Sequence, residues 1–361
     1  MTRRLPFLSE TPRPASVPEG AEDFDLTVPE GYREAFGLRM KQFGSAISFF
    51  APSVKSYETD EFSNCGMCSF APVSITGPRC SLNCDHCQAK ILEAMPAADS
   101  PEKLWKAALA RRERNVGGLL VSGGSDKNNV VPLTRFFPTL RRIREELGMR
   151  IICHVGFADE AMAVGLAEAG VDQVLLDIIG SDETIRDVYH LPQASTKNYR
   201  STLAALSGAG LKLSPHVVIG LHYGSLKGEL AALDLISEFP ISSLVLVALQ
   251  PTPGTPMAHA VPPTPEEMGE IFVGARLRFP ETPILLGCER PLGEHKIRTD
   301  ELAVKAGLNG IAYPAEGIIA LSEALGLRPN RSAFCCAIGI RSDVVSEPDF
   351  RGHPALQGVS A

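Results

Sequence analysis

The chain has 361 residues, 44% of them hydrophobic, and a formal net charge of −7. That is enough apolar material for one large α/β domain with extensions or for two smaller domains, and the acidic balance argues against nucleic acid as a main partner. No run of about 18 apolar residues is present to span a bilayer, and the N-terminus carries arginines but no apolar stretch of signal-peptide type, so a soluble, cytoplasmic protein is expected.

In chain order, residues 1 to about 28 are rich in Pro, Glu, Ser and Thr and are expected to be extended, before a short helix from Pro29 to Lys41. From Ala71 onward, β-type apolar runs alternate with helical patterns, which is the mark of a parallel sheet built from βαβ units. Strands are expected near 71–76, 117–122, 150–155, 172–178, 211–220, 243–249, 282–287 and 309–312. Helices are expected at 101–114, 132–147, 158–169, 197–209, 225–238, 264–279, 296–306 and 315–326. Eight such units over about 255 residues predict an α/β fold of (β/α)8 TIM-barrel type. The expected organisation is an N-terminal extension over 1–70, the barrel over 71–328, and a polar, loop-like tail over 329–361 that covers the barrel mouth.

Nine cysteines is an odd number, and five of them lie between positions 65 and 87, which suits metal binding in a reducing compartment better than a disulfide framework. Cys80, Cys84 and Cys87 form C-x3-C-x2-C directly after a β-branched strand. Three thiolates can hold three corners of a four-iron cluster, leaving one iron open to bind a substrate or cofactor. Two other readings use the same residues. Cys65-x2-Cys68 and Cys84-x2-Cys87 also fit a four-cysteine zinc knuckle, which leaves Cys80 surplus, and buried unlinked thiols are the plainest alternative.

The run from Val73 to Cys87, with His86 as an aromatic-like residue before the last cysteine, resembles the signature of the radical S-adenosylmethionine (SAM) enzymes. The resemblance implies a 4Fe-4S cluster whose open iron chelates the methionine moiety of SAM, and cleavage of SAM to a 5′-deoxyadenosyl radical. Gly123, Gly124 and Ser125 resemble the family's glycine-rich stretch, whose backbone approaches the SAM amino group; a plain turn is the other reading. Asp177 resembles the residue that hydrogen-bonds the ribose of SAM, and a solvated loop aspartate is the other reading. The strand ending near Ile219 resembles the one that supports adenine, with His222 standing where an acidic residue is common. His154 and His216 are read as core histidines or cavity-lining groups, while Glu294 and His295 receive no part.

The Pro-Thr-Pro-Gly loop within Gln250 to Pro256 resembles that of biotin synthases and their relatives, so resemblance to this branch covers about residues 71–326. Biotin synthases hold a second, sulfur-donating cluster with three cysteines and an arginine. Cys153 and Arg290, with Cys288 beside it, match part of that set, but Val121 and Ser214 stand at the other two positions. Biotin synthesis is therefore not expected, and Cys153 reads as a buried thiol.

The tail from Arg331 to Phe334 resembles the C-terminal Arg-Ser-Ser-Tyr signature of lipoyl synthases, although the C-x4-C-x5-C run of the common bacterial kind is absent. C-x2-C, then C-x3-C-x2-C, then the tail pair Cys335-Cys336 looks most like one member of the two-protein lipoyl synthases of archaea and some bacteria. That resemblance implies a second, sacrificial 4Fe-4S cluster held by Cys65, Cys68 and Cys335 or Cys336, with Ser332 as a cap. It implies sulfur insertion at C6 or C8 of an octanoyl chain on a lipoyl-carrier protein or peptide, a sister lipoyl synthase subunit, and a flavodoxin or ferredoxin as reductant. A radical SAM oxidoreductase with an electron-transferring second cluster and a zinc-binding scaffold are the competing classes.

Overall fold

The structure is a computed structural model that describes residues 20–22, 24–53, 55–64 and 69–338, so the expectations for Cys65, Cys68 and the tail beyond residue 338 lie outside the described residues. In chain order the elements are α1 (Glu30–Phe43), β1 (Ala46–Phe50), β2 (Phe70–Ser74), α2 (Pro101–Arg112), β3 (Gly118–Ser122), α3 (Phe137–Leu147), β4 (Arg150–His154), α4 (Glu160–Glu168) and β5 (Gln173–Asp177). There follow α5 (Asp182–Asp187), α6 (Thr196–Gly208), β6 (Leu213–Ile219), α7 (Glu229–Ile236), β7 (Leu244–Ala248), α8 (Pro265–Arg278), β8 (Ile284–Leu286), α9 (Glu294–Lys305), β9 (Gly310–Ala312), α10 (Ile318–Ala324) and β10 (Arg328–Ser332). Among the described residues no helix is long and apolar enough to cross a membrane.

The ten strands form one parallel, curled sheet in the order β10-β1-β9-β8-β7-β6-β5-β4-β3-β2. The eight expected strands are β2 to β9 and stand in sequence order, which is the TIM-type α/β arrangement. Two features differ from the expectation. The extension contributes β1, which pairs with β9, and the tail contributes β10, which pairs with β1. The boundaries placed at 70 and 329 therefore cut through one continuous sheet. Its two edges approach each other at the Phe70 and Phe334 rings, 6.1 Å apart, and at the Ser53 hydroxyl, which donates to the Phe70 carbonyl at 3.3 Å.

Local chemistry explains both additions. Ile47 and Phe49 are fully buried and Phe50 is nearly so, and burying each such side chain contributes about 1.5–3 kcal/mol. The fully buried Arg39 of α1 holds the start of this strand, its guanidinium donating to the carbonyls of Gly44 and Ala46. β10 is polar and includes Pro329, tolerated because an edge strand does not need every N–H. Helix starts follow capping rules: Ser100 accepts from the Lys103 amide with Pro101 behind it, and Thr264 and Glu267 form a capping box before α8.

Side chains alternate along a strand, so the register decides what faces the lumen. Asp177 pairs with His216, and His154 with Leu175, two residues before Asp177, which places His154, Asp177, Ser214 and His216 on the inner face. Cys153 and Ile219 then face the helices, and both are fully buried.

Candidate active site

The cysteine loop leaves β2 at the C-terminal end of the sheet, where barrels of this type carry their chemistry. Its path needs left-handed backbone at Asn83 (φ 52°), Gln88 (φ 43°) and Ala89 (φ 62°), the last two being residues that seldom adopt it. Between these bends the Cys84 carbonyl accepts from the amides of Cys87 at 3.2 Å and Gln88 at 2.9 Å. Cys84 is buried, and Cys80 and Cys87 are half-buried. Burial pushes the Cys84 thiol well above its ordinary value and that of Cys87 up to about 11, and the neighbouring loop thiols add to both.

Asp85 ties the loop down, accepting at 2.8 Å from His190 Nε2 and at 2.6 Å from the Tyr223 hydroxyl beyond β6. His86 stacks against Tyr189 at 5.4 Å, and its buried Nδ1 has no hydrogen-bond partner. Burial holds this imidazole below its ordinary pKa.

The glycine stretch after β3 packs directly on the loop. A Cβ on Gly124 would stand 2.1 Å from the Arg79 carbonyl and 2.5 Å from Cys80 Cα, and one on Gly123 would meet Ile75 and Thr76 at 3.0–3.1 Å. The Gly124 amide donates to the Thr76 hydroxyl at 2.7 Å, and the Ser125 carbonyl accepts from the Ser81 amide at 2.8 Å. These groups position the cysteine loop, and the Gly124 N–H is engaged in doing so. Gly124→Val is expected to displace Cys80, and iron bound after anaerobic reconstitution should fall by at least half while the circular dichroism of the fold is kept.

Deeper in the mouth, Asp177 lies 3.7 Å from His154 Nε2 and near His216. Burial alone would raise its pKa, but the neighbouring imidazole of His154 and the charges of His216 and His86 outweigh that and hold it at about 2. His216 Nδ1 bonds the Ser214 carbonyl at 3.0 Å, and burial together with His154 pushes this imidazole down to about 4. Asp177 is thus an inward, ionised acceptor. Ile219 is not brought to the cavity by its side chain; on that strand Val218 faces inward. His222 bonds Thr184 at 3.2 Å and lies 3.6 Å from Glu183. The carboxylate at this strand end comes instead from Glu229, which accepts from the Gly220 amide at 2.8 Å and carries no sequence signal beyond an acid at a helix start. His295 is half-buried and bonds the Pro263 carbonyl and Thr299.

Arg290 does not reach the lumen as a ligand, because it is fully buried and paired with Asp300 at 2.6 and 2.9 Å. The Ser332 hydroxyl accepts from the Phe334 amide at 3.2 Å, which turns the chain inward rather than presenting a free cap. Cys335 and Cys336 follow, Cys336 being 3% exposed. The Ala337 carbonyl accepts from the inward-facing Ser214 at 3.2 Å, so the described part of the tail, as far as Ile338, enters the lumen.

The loop residues fit a cluster. Three thiols from one bent loop supply soft ligands, the groups that select iron–sulfur centres, and the unpartnered His86 Nδ1 and the Cβ-free surface of Gly124 lie beside them.

Comparisons with known proteins agree with this geometry. The model of the Radical SAM superfamily matches residues 74–229. A biotin synthase from Delftia acidovorans is 32% identical over 177 residues, covering 46% of this chain and 46% of that protein. One from Geobacter sulfurreducens is 29% identical over 244 residues, covering 64% and 72%. The chain therefore spans about half the length of the Delftia relative. Among solved structures, methylornithine synthase (PylB) superposes with a TM-score of 0.55 at 15% identity over 86% of this chain and 96% of that one. The FeFe-hydrogenase maturase HydG from Carboxydothermus hydrogenoformans gives 0.56 at 16% over 85% and 72%. At such identities these two show a shared fold alone. The cysteine loop and the strands around it thus lie in the stretch, residues 74–229, that is similar to the Radical SAM superfamily.

Proposed function

We propose that this chain is a sulfur-inserting radical SAM enzyme acting on a protein-bound octanoyl chain, as one partner of a two-protein lipoyl synthase. The observation that carries the reading is the second set of thiols on the tail, folded into the same lumen that the cysteine loop overlooks. A cluster held by the loop would supply the electron for SAM cleavage and so the means of removing hydrogen from C6 or C8.

The protein's own residues do the remaining work. Cys80, Cys84 and Cys87 hold the cluster, Asp177 offers an ionised acceptor suited to ribose hydroxyls, and the apolar wall holds the target carbon close while excluding water. The relatives named biotin synthase favour a second reading, a biotin-synthase-like enzyme on another substrate. Against biotin itself, Ser214 stands where a cluster cysteine is needed and is bonded to Gln173, Ser243 and the tail.

The test is anaerobic turnover with SAM, reduced flavodoxin or ferredoxin and an octanoylated carrier peptide, read by mass spectrometry. Gain of one sulfur atom by the peptide together with 5′-deoxyadenosine is the expected result. Formation of 5′-deoxyadenosine with sulfur-free peptide, with or without the sister subunit, would overturn the substrate assignment.

A further inference from the structure

His154, Asp177 and His216 stand on three neighbouring strands and meet on the inner wall of the sheet. His154 ends β4 and Asp177 ends β5, while His216 lies directly opposite Asp177 in the pairing of β5 with β6. The backbone is pinned beside them: the Val155 amide donates to the Leu175 carbonyl at 2.9 Å, and the Ile178 amide to the His216 carbonyl at 2.8 Å. Strands hold side chains more precisely than loops do. One ligand atom from each residue, two imidazole nitrogens and a carboxylate oxygen, comes within 4.8 Å of the others.

The contacts around these atoms leave them as lone-pair donors. His216 Nδ1 bonds the Ser214 carbonyl at 3.0 Å, which requires the proton on Nδ1 and leaves Nε2 unprotonated in the neutral ring. An imidazole that donates its second nitrogen to a backbone carbonyl is oriented in the way metal-bound histidines are. Ser214 is itself fixed, its hydroxyl bonded to Gln173, Ser243 and the Ala337 carbonyl. His154 Nε2 and Asp177 Oδ1 are 3.7 Å apart, too far for a hydrogen bond. Two donors about 2.1 Å from a tetrahedral ion stand about 3.4 Å from each other, so this gap is of the size that an ion fills. Among the described residues no lysine or arginine pairs with Asp177, and its ion-pair neighbour is an imidazole.

We propose that His154, Asp177 and His216 bind a divalent transition-metal ion, zinc or ferrous iron, on the lumen wall. Two imidazoles with one carboxylate suit that class of ion, whereas magnesium and calcium call for a shell of oxygen donors. Three protein ligands leave the remaining positions open, as in catalytic rather than structural sites. All three residues are half-buried on the inner face, so the open positions look into the lumen. There the ion would polarise a carbonyl or carboxylate oxygen of a substrate and fix its orientation. Asp177 keeps a second carboxylate oxygen for a ribose hydroxyl. The site stands on this geometry and does not depend on the sulfur-insertion reading.

The experiment uses the full chain, reconstituted anaerobically with iron and sulfide, with any thiols still free alkylated by iodoacetamide before zinc is offered in equimolar amount. The natural sequence should keep about one zinc per chain through desalting, and His154→Gln and His216→Gln should each lose most of it. X-ray absorption at the zinc edge supplies a check that does not depend on a variant folding: the natural sequence should show nitrogen and oxygen neighbours with the outer scattering of imidazole. Zinc content unchanged by His216→Gln, a shell of sulfur around the zinc, or no zinc kept by the natural sequence would overturn the proposal. The outcomes separate from those of the functional assay, since a zinc-loaded chain that transfers no sulfur would sink the function and leave the site standing.

Discussion

Replacing Cys84 by alanine is expected to reduce SAM cleavage to the uncatalysed background, with loss of the loop cluster. Cys84 is the most buried of the three loop cysteines, and its carbonyl holds the turn that brings Cys87 around. Burial and the two neighbouring thiols make a lone thiolate here costly, so the loop carries three deprotonated sulfurs only when cationic iron compensates them. Removing one ligand from such a set leaves the other two without that compensation. Cys153→Ala is the matched control: Cys153 is equally buried but faces the helices, so its loss should leave both the cluster and SAM cleavage in place. Iron content and 5′-deoxyadenosine formation in the two variants check the contrast. Retention of cleavage by Cys84→Ala would mean that the cluster sits elsewhere.

Much of this was legible in the sequence because it is local. The eight βα units announce themselves by the switch between two-residue and 3.6-residue periods, and Cys80, Cys84 and Cys87 by spacing. β1 was not legible, because Ala46 to Phe50 is too short an apolar run for its period to be read. β10 was hidden by its polarity and by Pro329. The meeting of Ala337 with Ser214 depends on where the tail goes after Ser332, which is a tertiary fact without a local signal. The partner of Arg290 was hidden for a related reason: its charge is committed to Asp300 on a helix ten residues away.

That commitment makes Asp300→Ala the change with the largest expected effect on stability. Asp300 is fully buried, Arg290 is 1% exposed, and the pair is bidentate. The Asp300 carboxylate also accepts from the Ala315 amide at 2.8 Å. Through Arg290 it joins the ends of β8 and β9, so one carboxylate organises two strand ends and the loop that carries Cys288. Removing it leaves a guanidinium buried without its counter-ion, a situation that costs about 3–5 kcal/mol. Arg278 and Asp234 make a similar 2.6 Å contact on the surface, with Asp234 64% exposed, and Asp234→Ala should cost no more than about 1 kcal/mol. Urea unfolding of the two variants should separate them by several-fold in free energy. If the inner pair proved as dispensable as the outer one, Arg290 would have another counter-charge, and the ends of β8 and β9 would be joined by other contacts.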